Sequence, residues 1–146
     1  MKLKTLLSII FFAFLLISCG KEPKPIEFGV DNCDHCMMNI SDVRYGAELV
    51  TQKGRVYKFD DMYCMKAFLQ AEEVVPQNQV HSLWLVDFAA TEQLIPAEKS
   101  YLLHNPELKS PMGSNTAAFA DQETRQKQHT EHSGTMLLWE DYFNSN

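Results

Sequence analysis

Beyond its first 18 residues the sequence has no apolar run long enough to cross a bilayer, which takes about 20 residues. It contains no glycine-rich phosphate loop, no Ser-His-Asp arrangement and no paired carboxylates of the acid–base kind, so those common hydrolytic and phosphoryl-transfer mechanisms have no visible machinery. Positive charge is scarce as well. Lys2 and Lys4 are the basic residues of the first 18, so without that segment 11 of the 13 basic residues face 19 acidic ones, a balance of −8. That balance argues against nucleic acid and against electrostatic adhesion to anionic lipid. Cysteine is limited to four positions: Cys19, Cys33, Cys36 and Cys64.

What is present begins with an export address. Lys2 and Lys4 precede an apolar run from Leu6 to Ile17 broken only by Ser8, about a dozen residues, which matches a secretory core and is too short to span. It ends in Leu16-Ile17-Ser18-Cys19-Gly20, which resembles the bacterial lipobox. Residues 1–18 therefore read as a lipoprotein signal peptide and Cys19 as the lipidated first residue of the mature chain. Residues 19–27, with Pro23 and Pro25, read as an extended, mobile tether, because neither proline lets a helix settle. Several acyl chains together anchor firmly, so the expected location is a membrane face outside the cytoplasm. Residues 28–146 are then one domain with a single modest core.

With Cys19 acylated, three thiols remain, and an odd number cannot all pair internally. They are unevenly placed. Cys33-Asp34-His35-Cys36-Met37-Met38 packs two thiols, an imidazole and two thioethers into six consecutive residues, a donor set suited to a soft ion such as Cu(I) rather than to Mg²⁺ or Ca²⁺. Two other chemistries share that spacing. A thiol–disulfide oxidoreductase uses Cys-x-x-Cys at a helix N-terminus after a strand, whereas here the motif follows a tether and runs into Ile40-Ser41-Asp42, a turn signal. A structural zinc module would need four ligands, satisfied by Cys33, Cys36, Cys64 and one histidine. Met62 and Met65 belong to an apolar helical stripe and read as core. Met112, between Pro111 and Gly113, does not.

The scaffold reads as α+β with a mainly antiparallel sheet. Ala47–Thr51 and Arg55–Phe59 alternate in polarity around a Gly54 turn and predict a hairpin. Asp60 is placed to cap a helix reaching about Ala71, and Val80–Phe88 predicts a central strand. The order recurs less clearly: a strand at Ser100–His104, a loop at Asn105–Pro111, a helix at Asn115–Gln128 capped by Ser114, and a strand at Thr135–Trp139. Asp121 with Arg125 and Glu123 with Lys127 are spaced as supporting i,i+4 pairs on that helix. His81 and His104 read as ordinary polar residues beside strands.

Taken together, these segments resemble the nitrous-oxide-reductase accessory protein family NosL. The resemblance runs through the lipobox at Cys19, Cys33–Ile40, Tyr57-Lys58-Phe59-Asp60-Asp61-Met62-Tyr63-Cys64-Met65, Trp84–Phe88, Leu94–Ala97 and Ser110-Pro111-Met112-Gly113-Ser114 leading to Ala117-Ala118-Phe119. One departure stands out: Met37 occupies the place where the family usually has glycine. The resemblance implies two ββαβ-type units and a Cu(I)-binding lipoprotein that is not an enzyme. It implies a chaperone taking copper from a copper-exporting membrane transporter complex to apo nitrous oxide reductase at the periplasmic side. On that basis the expected ligands are Met112, Cys36 and Met38, then Cys64 and Cys33, with His132 as a nitrogen donor.

Overall fold

The structure is a computed structural model that describes residues 20–71 and 75–145. The leader and Cys19 lie outside the described residues. None of the described helices is long and apolar enough to cross a membrane.

The predicted hairpin is formed by β1 (Ala47–Thr51) and β2 (Val56–Phe59), closed by Thr51 N–H to the Arg55 carbonyl and Gly54 N–H to the Thr51 carbonyl. Antiparallel register sets Ala47 opposite Phe59 and Leu49 opposite Tyr57, so the alternation puts these large side chains on one face. β3 (Val80–Val86) pairs with the other edge of β1, and β4 (Leu94–Pro96) extends the sheet to the order β2-β1-β3-β4. β4 is a strand that residue patterning alone did not predict.

Helix α1 (Met62–Gln70) covers the apolar face. Its cap is Asp61 rather than Asp60, because the Asp61 carboxylate reaches the Tyr63 amide. Met62, Met65, Phe68 and Leu69 are buried as the stripe required, and the Phe68 ring lies 5.0 Å from Tyr57 and 5.1 Å from Phe59. Burying side chains of this size stabilises by about 1.5–3 kcal/mol each, which fixes α1 on the sheet.

A second sheet, ordered β6-β5-β7, is built from β5 (Tyr101–His104), β6 (Thr116–Phe119) and β7 (Thr135–Leu138), all antiparallel. Here the predicted helix Asn115–Gln128 is corrected. Its first part is β6, buried at all four positions against β5, and α2 spans Gln122–His132 with Asp121 as its cap. The i,i+4 pairing of Asp121 with Arg125 is also overturned. Asp121 accepts from the Thr124 amide and hydroxyl, while Arg125 is buried, lies over the Tyr101 ring and donates to the Leu137 carbonyl. The last predicted strand ends at Leu138, and Trp139 opens α3 (Trp139–Asn144).

Two units of order ββαβ result, β1-β2-α1-β3 and β5-β6-α2-β7, each with its first strand central. They share one main core, in which Leu102 and Ala118 of the second unit, with Trp139 of α3, cluster with Leu49, Phe59, Met65 and Leu85 of the first. The Phe88 amide donates to the Ala118 carbonyl, and the Phe88 ring makes T-shaped contacts with Tyr45 and Phe119, its centroid 5.7 Å from each.

Residues 20–27 of the tether take no helix or strand, as its prolines require. Yet packing begins within it. Lys21 donates to Gln52 near the hairpin turn, Lys24 N–H to the Glu48 carboxylate, and Lys58 Nζ to the Pro25 carbonyl, while Ile26 is buried. Glu48 and Lys58 face away from α1, so residues 20–26 form a strap along the outer face of the first sheet.

Candidate metal centre

The Cys33–Cys36 turn is closed locally by Met37 N–H to the Cys33 carbonyl (2.9 Å) and Cys33 N–H to the Met38 carbonyl (2.8 Å). Met37 takes a left-handed conformation, φ 65°, at the place where the resemblance expects glycine. Asp34 ties this turn to β2: its amide donates to the Lys58 carbonyl and its carboxylate accepts from the Lys58 amide. The turn is thereby held beside the end of β2, two residues before Asp60. The chain then enters α1, whose first turn carries Cys64.

The consequence is convergence. The sulfurs of Cys33, Cys36 and Cys64 all lie within 4.8 Å of one another. Cys33 and Cys64 are fully buried, Cys36 is half-buried, and all three are free thiols. The cluster ionises unequally. Hydrogen bonding from the Cys64 thiol, aided by the amides of Cys36, Asp60 and His35, holds Cys33 well below the usual thiol range against the opposing effect of burial. The bond to Cys33 and burial push Cys64 up, and burial pushes Cys36 up. Burial, with the Cys33 charge next, raises Asp60 to about 6. Ionisation is thus favoured at Cys33 over Cys36 and Cys64, and the three gathered sulfurs make a soft seat for a thiophilic ion.

Met112 is held through its backbone. Ser110–Ser114 is a turn closed by Gly113 N–H to the Ser110 carbonyl, with Gly113 at φ 78°. Asp61, at the N-terminus of the helix that carries Cys64, holds this turn, its Oδ2 accepting the Met112 amide at 3.2 Å. Met112 is partly buried against the main core, whereas Met38 is 57% exposed.

His132 stands apart from the thiol group. It is exposed at the end of α2, its carbonyl accepts from the Asn105 amide group, and it lines a separate cavity with His104 and Glu107. His104 engages Nδ1 with the Ser114 carbonyl and the Thr116 hydroxyl, and His81 is exposed. Among the described residues the group of close potential ligands holds three thiols and no histidine. Sequence reasoning missed Asp61. Its only advance signal was a second aspartate beside the one assigned as cap.

The NosL family model matches residues 25–144. The chain belongs to the NosL family. The fold of this NosL chain is similar to a crystal structure described as the copper chaperone NosL from Shewanella denitrificans, with a TM-score of 0.68 and 18% identity over 84% of this chain and 96% of the other. At that identity the likeness is one of fold, two ββαβ units included. No curated protein matches the sequence.

Proposed function

We propose that this chain is a Cu(I) carrier of the periplasm-facing membrane surface, lipidated at Cys19, that receives copper from a membrane transporter complex and delivers it for maturation of nitrous oxide reductase. The observation that carries the reading is the meeting of Cys33, Cys36 and Cys64 within 4.8 Å. Metal–thiolate bonds of about 2.3 Å in a triangle set sulfurs ~4 Å apart, so small side-chain shifts close the cluster on one ion. Membership of the NosL family and the copper chaperone described for its structural relative support copper as the cargo.

The ligand set we favour combines these thiols with the thioethers of Met112 and Met38. Thiolates give selectivity for Cu(I) over harder ions, and thioethers are weak enough for an acceptor's ligand to displace. His132 is left to a peripheral role. A thiol–disulfide oxidoreductase would need a reachable acidified cysteine, whereas the acidified Cys33 is fully buried and shares its site with Cys64. A structural zinc module would require a fourth ligand such as histidine within the thiol group.

Anaerobic titration of the apo chain with a Cu(I) competitor tests the binding. The expected result is ~1 Cu(I) per chain, preferred over Zn²⁺, with affinity lowered by about tenfold or more in Met112→Ala and in Cys36→Ala, since each lost ligand amounts to at least ~1.4 kcal/mol. Affinity unchanged in both variants would sink the ligand assignment. Delivery is tested separately, by whether the loaded chain restores copper to apo nitrous oxide reductase faster than free Cu(I) held by the same competitor.

A further inference from the structure

Asp61 is almost wholly buried, and its two carboxylate oxygens have different jobs. Oδ1 accepts the Tyr63 amide at 2.5 Å and caps α1. Oδ2 accepts three donors from a loop some fifty residues downstream: the Ser110 hydroxyl at 2.6 Å, the Met112 amide at 3.2 Å and the Ser114 amide at 3.3 Å. Those contacts join the first ββαβ unit to the second at the point where α1 presents Cys64. The Ser110 hydroxyl is itself a hub, accepting the Asn115 amide at 2.9 Å and lying 3.0 Å from the Ser114 hydroxyl. Left-handed backbone at Gly113 (φ 78°) and Asn115 (φ 46°) gives the loop a shape that local preference alone would not hold.

We propose that Asp61 is a positioning residue, which uses the Oδ2 side of its carboxylate to register the Met112 loop against the Cys64 turn, so that the thioether meets the three-thiol cluster. The inference rests on Met112 being a copper ligand. The division of labour makes Asp61 separable from a merely structural cap. Asparagine is as good an N-cap as aspartate, because its carbonyl oxygen can still accept the helix amide. Its amide nitrogen would then face three donors where an acceptor is required, and the clasp is lost while the cap is kept. Only the methionine limb of the site should loosen, because the thiols hang from the Cys33–Cys36 turn and from α1 itself.

The test is a double-mutant cycle in the full chain, read by anaerobic Cu(I) competition and by amide hydrogen exchange. Asp61→Asn is expected to weaken Cu(I) binding about as much as Met112→Ala, by roughly tenfold, which corresponds to 1.4 kcal/mol. It should speed exchange at the Met112 and Ser114 amides while leaving the ultraviolet thiolate absorbance of the apo cluster unchanged. The double variant should bind within about twofold of Met112→Ala alone, since coupled residues do not add. Asp61→Asn with wild-type affinity beside a weakened Met112→Ala would overturn the positioning role, and so would fully additive losses. If Met112→Ala itself binds as wild type, it is the assignment of Met112 as a ligand that fails, and the role of Asp61 with it. Ser110→Ala removes a single clasp donor without touching the cap. It should show an intermediate loss that vanishes in the Met112→Ala background, and no loss there would overturn the proposal even if Asp61→Asn failed to fold.

Discussion

Replacing Glu48 with glutamine isolates the electrostatics of the strap. Glu48 is fully buried in the central strand of the first sheet, where Oε2 accepts the Lys24 amide at 3.0 Å and Oε1 has no partner among the described residues. Lys58 stands opposite in register, but its ammonium donates to Asp31 and to the Pro25 carbonyl. Burial therefore dominates and raises the Glu48 carboxyl from 4.5 to about 7. A folded value above the unfolded one means that the native state holds the proton longer. The resulting stability is full below about pH 4.5 and is lost as the pH rises through about 7. At about 1.36 kcal/mol per unit, the change between about pH 5 and about pH 8 is roughly 2–3 kcal/mol. Glutamine imitates the protonated form, since its carbonyl still accepts from Lys24 and it carries no charge. Urea unfolding of both apo chains under reducing conditions should then show the variant gaining on the wild type by roughly 2–3 kcal/mol from about pH 5 to about pH 8. Asp60, also raised by burial, titrates in both chains and cancels. A gap between the chains that stayed constant within about 0.5 kcal/mol would refute the account of a carboxyl ionising under the strap.

Two further outcomes follow from the thiol turn. Met37→Gly relieves a left-handed side chain that is 73% exposed and should stabilise the apo chain by roughly 0.5–1 kcal/mol in urea unfolding, the glycine gain being partly offset by its flexibility when unfolded. A destabilised variant would mean that the turn needs the methionine side chain. The apo wild type should retain ultraviolet thiolate absorbance at pH values well below the range of a free cysteine, and Cys33→Ser should abolish it. Persistence of the signal in that variant would place the charge on another sulfur.

Much of the first unit was legible because each element had a local cause. Alternation at 47–51 and 55–59 around Gly54 specified the hairpin, and the stripe of Met62, Met65, Phe68 and Leu69 specified α1. The one-residue error in its cap reflects adjacent aspartates, decided by which carboxylate reaches Tyr63. The second unit was harder to read. Thr116-Ala117-Ala118-Phe119 has the composition of a helix start, and only burial of all four residues against β5 makes it a strand, a tertiary effect overriding propensity. α3 lacks a Ser, Thr, Asn or Asp at its cap position; instead Asp141 reaches back to the Leu138 amide. The site divided in the same way. Cys33 and Cys36 announce themselves by proximity in the chain, but their meeting with Cys64 depends on Asp34 docking to Lys58 at the end of β2. The buried hydrogen bonds that Asp61 accepts from Ser110 and Ser114 left no periodicity to read.

The strap also sets how the domain bears load. The chain departs beside the β1–β2 turn, where Lys21 meets Gln52, and the thiols sit at the opposite end of β2. That strand has four residues, about 13 Å at a rise of ~3.3 Å each. Tension applied at the N-terminus therefore runs along the strap and away from the thiols. The Lys24–Glu48 and Lys58–Pro25 contacts lie across that direction and are loaded together in shear instead of being peeled singly. Force along the chain would be borne by these two contacts on the outer face of the sheet before it reached the Cys33 turn.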